Sequence, residues 1–444
     1  MNRILIGATL VVAGTWTRPT AAAGEAAASS AGPSRAAPPG CAGTGDAKAV
    51  VGCALAASPE VRQARAQLDA AAGRRATADV LLPSNPTVSG TLARRIRPAP
   101  ENVTVLNWSV ALSQELEIAG QRGTRVDAAE AEIAASARRV AVAEQEVAAA
   151  ALSAYYQAIA AREAQRFALD LVETAQALAS YAEARAGEAL IAGVEADVAR
   201  AEATRIGLLR FEAERRVQET RTALAVLLDL DQQTLVLPDA LPAAATTADL
   251  PPGSLEEQAL RLRGEIAAAE MERLVLERRL VTVRRERAPN PTLSVFAERG
   301  EIDDQIYGVG LSVPLPLPAP VGRTRAGEIA ETLAQIRAAE SSGELVRRRV
   351  RVEVARAAAT FKARQSGAAL FAADLLARGR ADLAALREAI SSRQLSLREG
   401  LQWQRTLIEL LQGDIEARLG RALAWVDLRR VVGLPLVAGT AGAR

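Results

Sequence analysis

The sequence predicts a mainly α-helical chain with membrane-type β-strands, built as two structural repeats of helix, strand, strand and long α-hairpin. Three observations carry that fold class. A series of landmarks recurs about 205 positions along the chain. Short extended segments alternate apolar and polar residues with period two, and long proline-free stretches place an apolar residue at every seventh position. Period two marks a strand with one apolar face, and period seven marks the seam of packed helices.

The repeat is legible in order. Asn85-Pro86-Thr87-Val88-Ser89 is echoed by Asn290-Pro291-Thr292-Leu293-Ser294, and Pro59-Glu60-Val61 by Gly264-Glu265-Ile266, both at an offset of 205. Val110-Ala111-Leu112-Ser113 matches Val309-Gly310-Leu311-Ser312 at an offset of 199, so the linker between the paired strands is six residues longer in the first half. Leu227-Leu228-Asp229 matches Val431-Val432-Gly433 at 204. The chain therefore divides into a first repeat (51–240), a linker (241–254), a second repeat (255–435) and a tail (436–444). Upstream, Asn2-Arg3, the apolar run Ile4 to Ala13 and Ala21-Ala22-Ala23 read as a secretory signal over 1–23, followed by a flexible segment over 24–50. No later stretch of about 20 residues is free of charge, so insertion into a bilayer must use strands.

Each repeat opens with a helix, roughly Pro59 to Val80 and Leu255 to Glu286. The Asn-Pro turn ends it, because proline disfavours helix at the residue before it. Strands follow. Leu106, Trp108, Val110 and Leu112 alternate with Asn107, Ser109, Ala111 and Ser113. Leu293, Val295 and Ala297 oppose Thr292, Ser294 and Glu298, while Tyr307, Val309, Leu311 and Val313 oppose Gly308, Gly310 and Ser312. An apolar face toward lipid and a polar face toward water fits a membrane barrel, and a small soluble sheet with one buried face gives the same pattern. Trp108 and Tyr307 suit an aromatic belt at the lipid interface.

Gly120, Arg122 and Gly123 then mark the turn from strand to helix, and Pro314, Pro316, Pro318 and Pro320 the matching elbow in the second half. From about Arg122, some 65 residues run without proline to Gly187, roughly 100 Å of helix. Val126, Ile133, Val140, Val147, Ala154, Ala161, Ala168 and Ala175 keep the seven-residue step; Ile329, Ile336, Val350 and Ala357 keep it in a second long stretch from about Arg323. Gly187 and Gly193 flank the first reversal, and the second falls near Ile390 to Leu397 without a central glycine. Helices return over Asp197 to Asp229 and Gly400 to Val432. A sheet in lipid tolerates no open edge, since unpaired backbone groups there cost several kcal/mol each. Three chains of four strands would close a twelve-stranded barrel continued by a twelve-helix tube, a homotrimer.

Composition narrows the function. Lys+Arg 54 against Asp+Glu 52 lacks the basic excess of a nucleic-acid binder. Aromatics at 3% within an apolar content of 49%, much of it alanine, suit closely packed helices rather than a globular core. The chain has no histidine, two cysteines and two methionines, so a zinc or copper centre and a Ser-His-Asp triad are not expected. No catalytic, cofactor or metal residue stands out, and an enzyme is not expected. Cys41 and Cys53 read as a local disulfide in an oxidising compartment, as a lipidation site at Cys41 that Pro38-Pro39-Gly40 matches poorly, or as two incidental thiols. Near the first reversal, Glu188, Glu195 and Asp197 read either as helix-end capping or, repeated threefold, as a cation-attracting ring.

The order helix, strand, strand, long hairpin, twice over, resembles the TolC outer-membrane efflux family from about Asp46 onward. Glu115-Leu116-Glu117-Ile118-Ala119-Gly120-Gln121-Arg122 and Gly308-Val309-Gly310-Leu311-Ser312-Val313-Pro314-Leu315-Pro316 resemble the elbows of its heavy-metal, CzcC-like branch. Arg185-Ala186-Gly187-Glu188 with Asp197 looks like that family's periplasmic hairpin tip, whereas Ser392-Arg393-Gln394-Leu395-Ser396 lacks its usual glycine. The resemblance implies a passive duct in the cell outer membrane with a large periplasmic portion. It would receive substrate, heavy-metal cations in this branch, from an inner-membrane pump of the resistance-nodulation-division class through a periplasmic adaptor that touches the tips, Arg393 and Ser396 included. Organic-compound efflux and type I protein secretion use the same fold. A soluble periplasmic coiled-coil adaptor is the competing reading of another class.

Overall fold

The computed structural model describes residues 41, 45–96, 104–242, 254–299, 304–317, 321–322, 324–371, 378–379, 381–382, 385, 388–389, 392 and 396–437. The expected signal, most of the 24–50 segment, most of the 241–254 linker, Pro318, Pro320, Arg323 and Arg393 lie outside the described residues. The elements run α1 (Ala47–Ala57), α2 (Pro59–Ala78), β1 (Thr87–Ile96), β2 (Thr104–Glu115), α3 (Gln121–Gly187), α4 (Gly193–Leu228), α5 (Leu255–Leu262), α6 (Gly264–Arg285), β3 (Thr292–Arg299), β4 (Gln305–Ser312), α7 (Ala326–Ala368) and α8 (Leu397–Val432).

Two compact units contain these elements, and they cut across the two repeats. Residues 75–129 and 276–334 form one; residues 37–74, 130–275 and 335–444 form the other. The first holds the four strands and the helix ends that meet them. The sheet is antiparallel in the order β1-β2-β3-β4, so β1 and β4 are its edges. Ile96 faces Thr104 and Arg299 faces Gln305, which puts both hairpin connections at one end; Thr87 faces Ser113 and Thr292 faces Ser312 at the other end, where the helices join.

The second unit is helical. Its cores are small and alanine-rich. Ala148, Ala151, Leu152, Tyr155 and Ile159 of α3 pack with Val50, Val51 and Ala54 of α1 and with Leu224 and Leu228 of α4. Val350, Val354, Ala357 and Phe361 of α7 pack with Leu428, Val431 and Val432 of α8 and with Ala259 of α5. Alanine at such positions lets helix backbones approach closely. The expected seam is buried at Ala161, Ala168 and Ala175. It is half-buried at Val126, Ile133, Val140, Val147 and Ala154.

Three differences from the sequence reading have local causes. The opening helix of the first half is found as α2, but that of the second half is two, broken at Arg263 (φ −67°, ψ 122°); Ser58, 205 positions earlier and just before α2, has almost the same angles (φ −61°, ψ 126°), as a residue before proline should. Second, α1 occupies the end of the segment expected to be flexible; its Val50, Val51, Cys53 and Ala54 are buried, and a Cys41–Cys53 disulfide ties the preceding chain to it. That pairing selects one of the three readings of the cysteines. Third, the second outgoing helix stops at Ala368, where Leu370 N–H bonds to Gly367 O (3.2 Å) and Phe371 N–H to Ala368 O (3.3 Å), the tightened turn of a helix end. The ends of the returning helices agree with the sequence reading: α4 and α8 both end on a left-handed residue, Asp229 (φ 52°) and Gly433 (φ 83°), one offset of 204 apart.

Candidate functional site

The sheet in the first unit gathers the strand residues singled out from sequence. The register pairs Leu92 with Trp108, Arg94 with Leu106, Gly90 with Val110 and Val88 with Leu112. It pairs Val110 with Ala297 and Leu112 with Val295, then Leu293 with Leu311, Val295 with Val309 and Ala297 with Tyr307. Directly paired residues share a face, so Leu106, Trp108, Val110, Leu112, Leu293, Val295, Tyr307, Val309 and Leu311 all lie on one side. That side is open: Tyr307, Val309 and Leu311 are 74%, 71% and 70% exposed. The other side carries Ser89, Thr91, Ser109, Ala111, Ser113, Ser294, Gly310 and Ser312, small and mostly polar, with Val105, Phe296 and Ile306 as the larger apolar exceptions. An uncovered contiguous apolar sheet face of this kind is what a non-aqueous or protein surface covers.

The first elbow, where β2 turns into α3, is a hydrogen-bonded knot. Gln121 is 2% exposed. Its Oε1 accepts from Ala119 N–H (2.9 Å), and its Nε2 donates to Asn290 Oδ1 (2.8 Å). Asn290 Nδ2 in turn donates to Glu115 Oε1 (2.8 Å), and Leu116 N–H donates to Pro291 O (2.9 Å). The second Asn-Pro turn thus clamps the first elbow. Gly120 has φ 72°, a conformation a Cβ resists, so its glycine is required. Arg122 donates to Asp79 O (3.0 Å) and Asp79 Oδ1 (2.5 Å), and Arg125 pairs with Glu117. Gly123 has open space around it, and nothing in the structure requires a glycine there. The sequence flagged Gly120 and Arg122 as elbow residues, quoted Gln121 within the elbow motif without giving it a role, and did not flag Asp79. Asn290 was visible as a repeat landmark; its partners are 169 and 175 positions away, beyond any local pattern.

The second elbow is built otherwise. Pro314 and Pro316 follow the end of β4 and are exposed, as are Leu315 (80%) and Val321 (79%). Arg325, at φ 58°, begins the turn into α7 and pairs with Glu328 (2.8 Å) and Glu286 (3.5 Å).

In the helical unit the first reversal is tight. Ala189, not a glycine, takes the left-handed conformation (φ 57°), and Leu190 N–H bonds back to Arg185 O (2.9 Å). Arg185 donates to Tyr181 Oη (2.9 Å), with its guanidinium over the ring. Gly187, Glu188, Glu195 and Asp197 are exposed. Asp197 pairs with Arg200 (3.3 Å). At the start of α8, Ser396 Oγ accepts from Glu399 N–H (3.4 Å) and Glu399 reaches back to Ser396 N–H (3.1 Å), a reciprocal cap.

Above that cap the returning helix α8 is tied to α3 and α4 by ion clusters that sequence reading missed. Glu202 is buried between Arg205 (2.6 Å) and Arg405 (3.1 Å). The Arg205 hydrogen bonds lead in holding its carboxyl below the usual range, against burial. Arg418 bridges Glu163 (3.0 Å) and Asp414 (2.9 Å). Burial pushes the Arg418 guanidinium down, and these two carboxylates hold it above its ordinary value. Among the described residues no group of three or more His, Cys, Asp or Glu side chains is placed to hold a metal ion. Among them, too, no helix is long and apolar enough to cross a membrane.

Residues 50–229 match the family described as "Outer membrane efflux protein". No curated protein matches the chain. Solved structures resemble it over most of its length. A CusC structure described in terms of transmembrane channel formation has TM-score 0.71 at 15% identity, covering 88% of this chain and 92% of its own. The outer-membrane channel OprN has TM-score 0.71 at 20% identity, covering 88% and 90%. The outer membrane protein VceC of Vibrio cholerae has TM-score 0.68 at 16% identity, covering 88% and 97%. The fold is therefore that of the TolC-like outer-membrane channels.

Proposed function

We propose that this chain is the outer-membrane duct of a three-part efflux system, a passive channel rather than an enzyme. The outer-membrane efflux family match over 50–229 and the shared channel fold support the coarse reading: an efflux channel in the outer membrane with a large periplasmic helical portion. The observation that carries the assembly is the four-stranded sheet with two open edges and an uncovered apolar face. A sheet of that kind is stable in lipid only when closed. Three chains pairing β4 to β1 make a twelve-stranded barrel, with the nine apolar-face residues toward lipid, and the long hairpins make a twelve-helix tube.

Gly120, Arg122, Gly123, Pro314 and Pro316 mark the joints from barrel to tube. Arg185, Gly187, Glu188, Asp197, Arg393 and Ser396, at the hairpin ends, contact a periplasmic adaptor that couples the duct to an inner-membrane pump of the resistance-nodulation-division class. Heavy-metal cations are the substrate, on the likeness of both elbows to the CzcC-like branch; pump and adaptor select them, and the duct admits them.

Membrane fractionation with gel electrophoresis tests the reading. An outer-membrane band that migrates as an SDS-resistant trimer unheated and as a monomer after boiling is expected. A soluble periplasmic monomer would contradict it and favour a coiled-coil adaptor. A deletion strain then tests the cargo: sensitivity to divalent metals is expected, and sensitivity to organic toxicants alone would contradict the metal assignment.

A further inference from the structure

We infer that Gly308 holds the Phe296 ring down against the inner wall of the duct and so keeps the bore open at that level, which makes the pair a determinant of the solute size admitted. The inference rests on the duct reading, since it takes the polar side of the sheet to face a water-filled lumen. On that side the paired residues form rows across the four strands. Thr87, Ser113, Ser294 and Gly310 make one row. Ser89, Ala111, Phe296 and Gly308 make the next, toward the hairpin connections. Among the described residues of this side Phe296 is the one aromatic, in a row whose other members are small.

The ring lies where a side chain at 308 would be. A Cβ added to Gly308 would fall 3.0 Å from Phe296 Cε2, 2.7 Å from Cε1 and closer still to Cζ. Those three atoms are the outer half of the ring, so it reaches sideways to β4 and covers the glycine instead of standing up from the wall. Ser294 does the same one row away: its Oγ lies 2.5 Å from the Cβ position of Gly310 and donates to Gly310 O (3.2 Å). Glycine inside a strand marks such a close approach, and the ring shields the backbone it covers. The other half of the chain supplies a comparison. Thr91 stands 205 positions before Phe296 and Ser109 stands 199 before Gly308, and these two also face each other. Ring and notch occur together in the second half, and neither occurs at the matching place in the first. A side chain at 308 strikes the free end of the ring, which turns on its own rotatable bonds without moving the backbone. Ala111, the neighbour on β2, already carries a Cβ, so the evicted ring turns toward the lumen. Three copies turn three rings inward at one level, and pore width there decides what passes.

The test uses the full chain in intact cells, carrying Ser113→Cys in the row beyond Phe296 as seen from the hairpin connections. The other two cysteines, Cys41 and Cys53, are joined to each other and do not react. Maleimides bearing polyethylene glycol of graded length are added outside, and the labelling rate of S113C is read on gels. With G308A added, labelling by the largest reagent that the parent admits is expected to fall severalfold, while N-ethylmaleimide reacts as before. F296A/G308A should restore the parent rate. G310A, which meets only the small Ser294 hydroxyl, should leave it unchanged. F296W, whose indole overfills the notch, should slow labelling with Gly308 in place. An unheated trimer band for each variant shows that it is folded. Parent-rate labelling in G308A (or in F296W, should G308A form no trimer band) would overturn the inference, as would slow labelling that persists in F296A/G308A. Either result leaves Phe296 as a cover for the edge strand and the duct intact. A parent S113C chain that forms no trimer band, or a trimer that no aqueous maleimide reaches, would instead overturn the duct reading, and this inference with it.

Discussion

At two matched places the halves of the chain turn with similar backbone angles and hold the turn with different chemistry. One helix gives way to the next at the same position of the repeat, Ser58 and Arg263, with dihedrals within a few degrees of each other. Both returning helices end on a left-handed residue, Asp229 and Gly433. Yet Ser58 holds its break as a light cap, its Oγ accepting from Val61 N–H (3.2 Å). Arg263, 6% exposed, holds the other by bonding to Glu265 (2.9 Å), Glu353 (2.7 Å) and Val431 O (3.1 Å). The elbows diverge in the same way, one a hydrogen-bonded knot around Gln121, the other a proline-stiffened strip. At these places the backbone angle is shared and the side chains that hold it are not.

That contrast is sharpest at the two breaks. Arg263→Ala, which strands two half-buried carboxylates, should cost about 3 kcal/mol, while Ser58→Ala should cost about 1 kcal/mol, read as shifts in the urea midpoint. Equal costs would dissolve the distinction. Next comes the disulfide, which the second half lacks. There Ser254 caps the start of α5, its Oγ accepting from Glu257 N–H (3.4 Å). Replacing Cys41 and Cys53 by serine releases a separation of 12 residues and should cost about 2–3 kcal/mol, against about 1 kcal/mol for Ser254→Ala.

The elbows come third. Gln121→Ala leaves Asn290 and the Ala119 N–H short of partners and should cost about 2 kcal/mol. Pro314→Ala with Pro316→Ala acts chiefly on the unfolded chain and should cost less than about 1 kcal/mol. A Gln121–Asn290 double-mutant cycle should return a coupling of at least about 0.5 kcal/mol; zero coupling would deny the knot.

The smallest effect is that of acid. Glu202 lies in the first half and Glu265 in the second. Hydrogen bonds from Arg205 and Arg405 hold the Glu202 carboxyl below its ordinary 4.5. Burial pushes the Glu265 carboxyl up, and Arg263 brings it below the same value. A depressed carboxyl stabilises the fold above its unfolded value and ceases to as pH falls through its folded one. The helical unit should therefore lose stability on acidification below about pH 4.5, more weakly in Glu202→Gln and Glu265→Gln, by urea titration across pH.

Much of this fold was legible because repeats and periods are local. Ser58 stands before Pro59, a legible helix boundary, whereas Arg263, 205 positions on, carries no helix-stop signal of its own. The period of two set which residues of each strand share a side, and the register then brings the nine named residues of three strands to one face. The knot, the Glu202 and Arg418 clusters and the disulfide were not legible as such. Each joins positions distant in sequence, or depends on which of several open pairings the packing selects. The end of α7 at Ala368 escaped for a further reason: glycine at 367 is tolerated inside many helices and stops this one only in context.

The most direct test of the central claim is a cysteine scan of β2 in liposomes, with a thiol-linked fluorophore quenched either by lipid-borne nitroxide or by aqueous iodide. Labels at Leu106, Trp108, Val110 and Leu112 should be quenched from the lipid, and those at Asn107, Ser109, Ala111 and Ser113 by iodide, alternating residue by residue. Iodide quenching at all eight positions, with no response to the lipid quencher, would contradict an outer-membrane barrel.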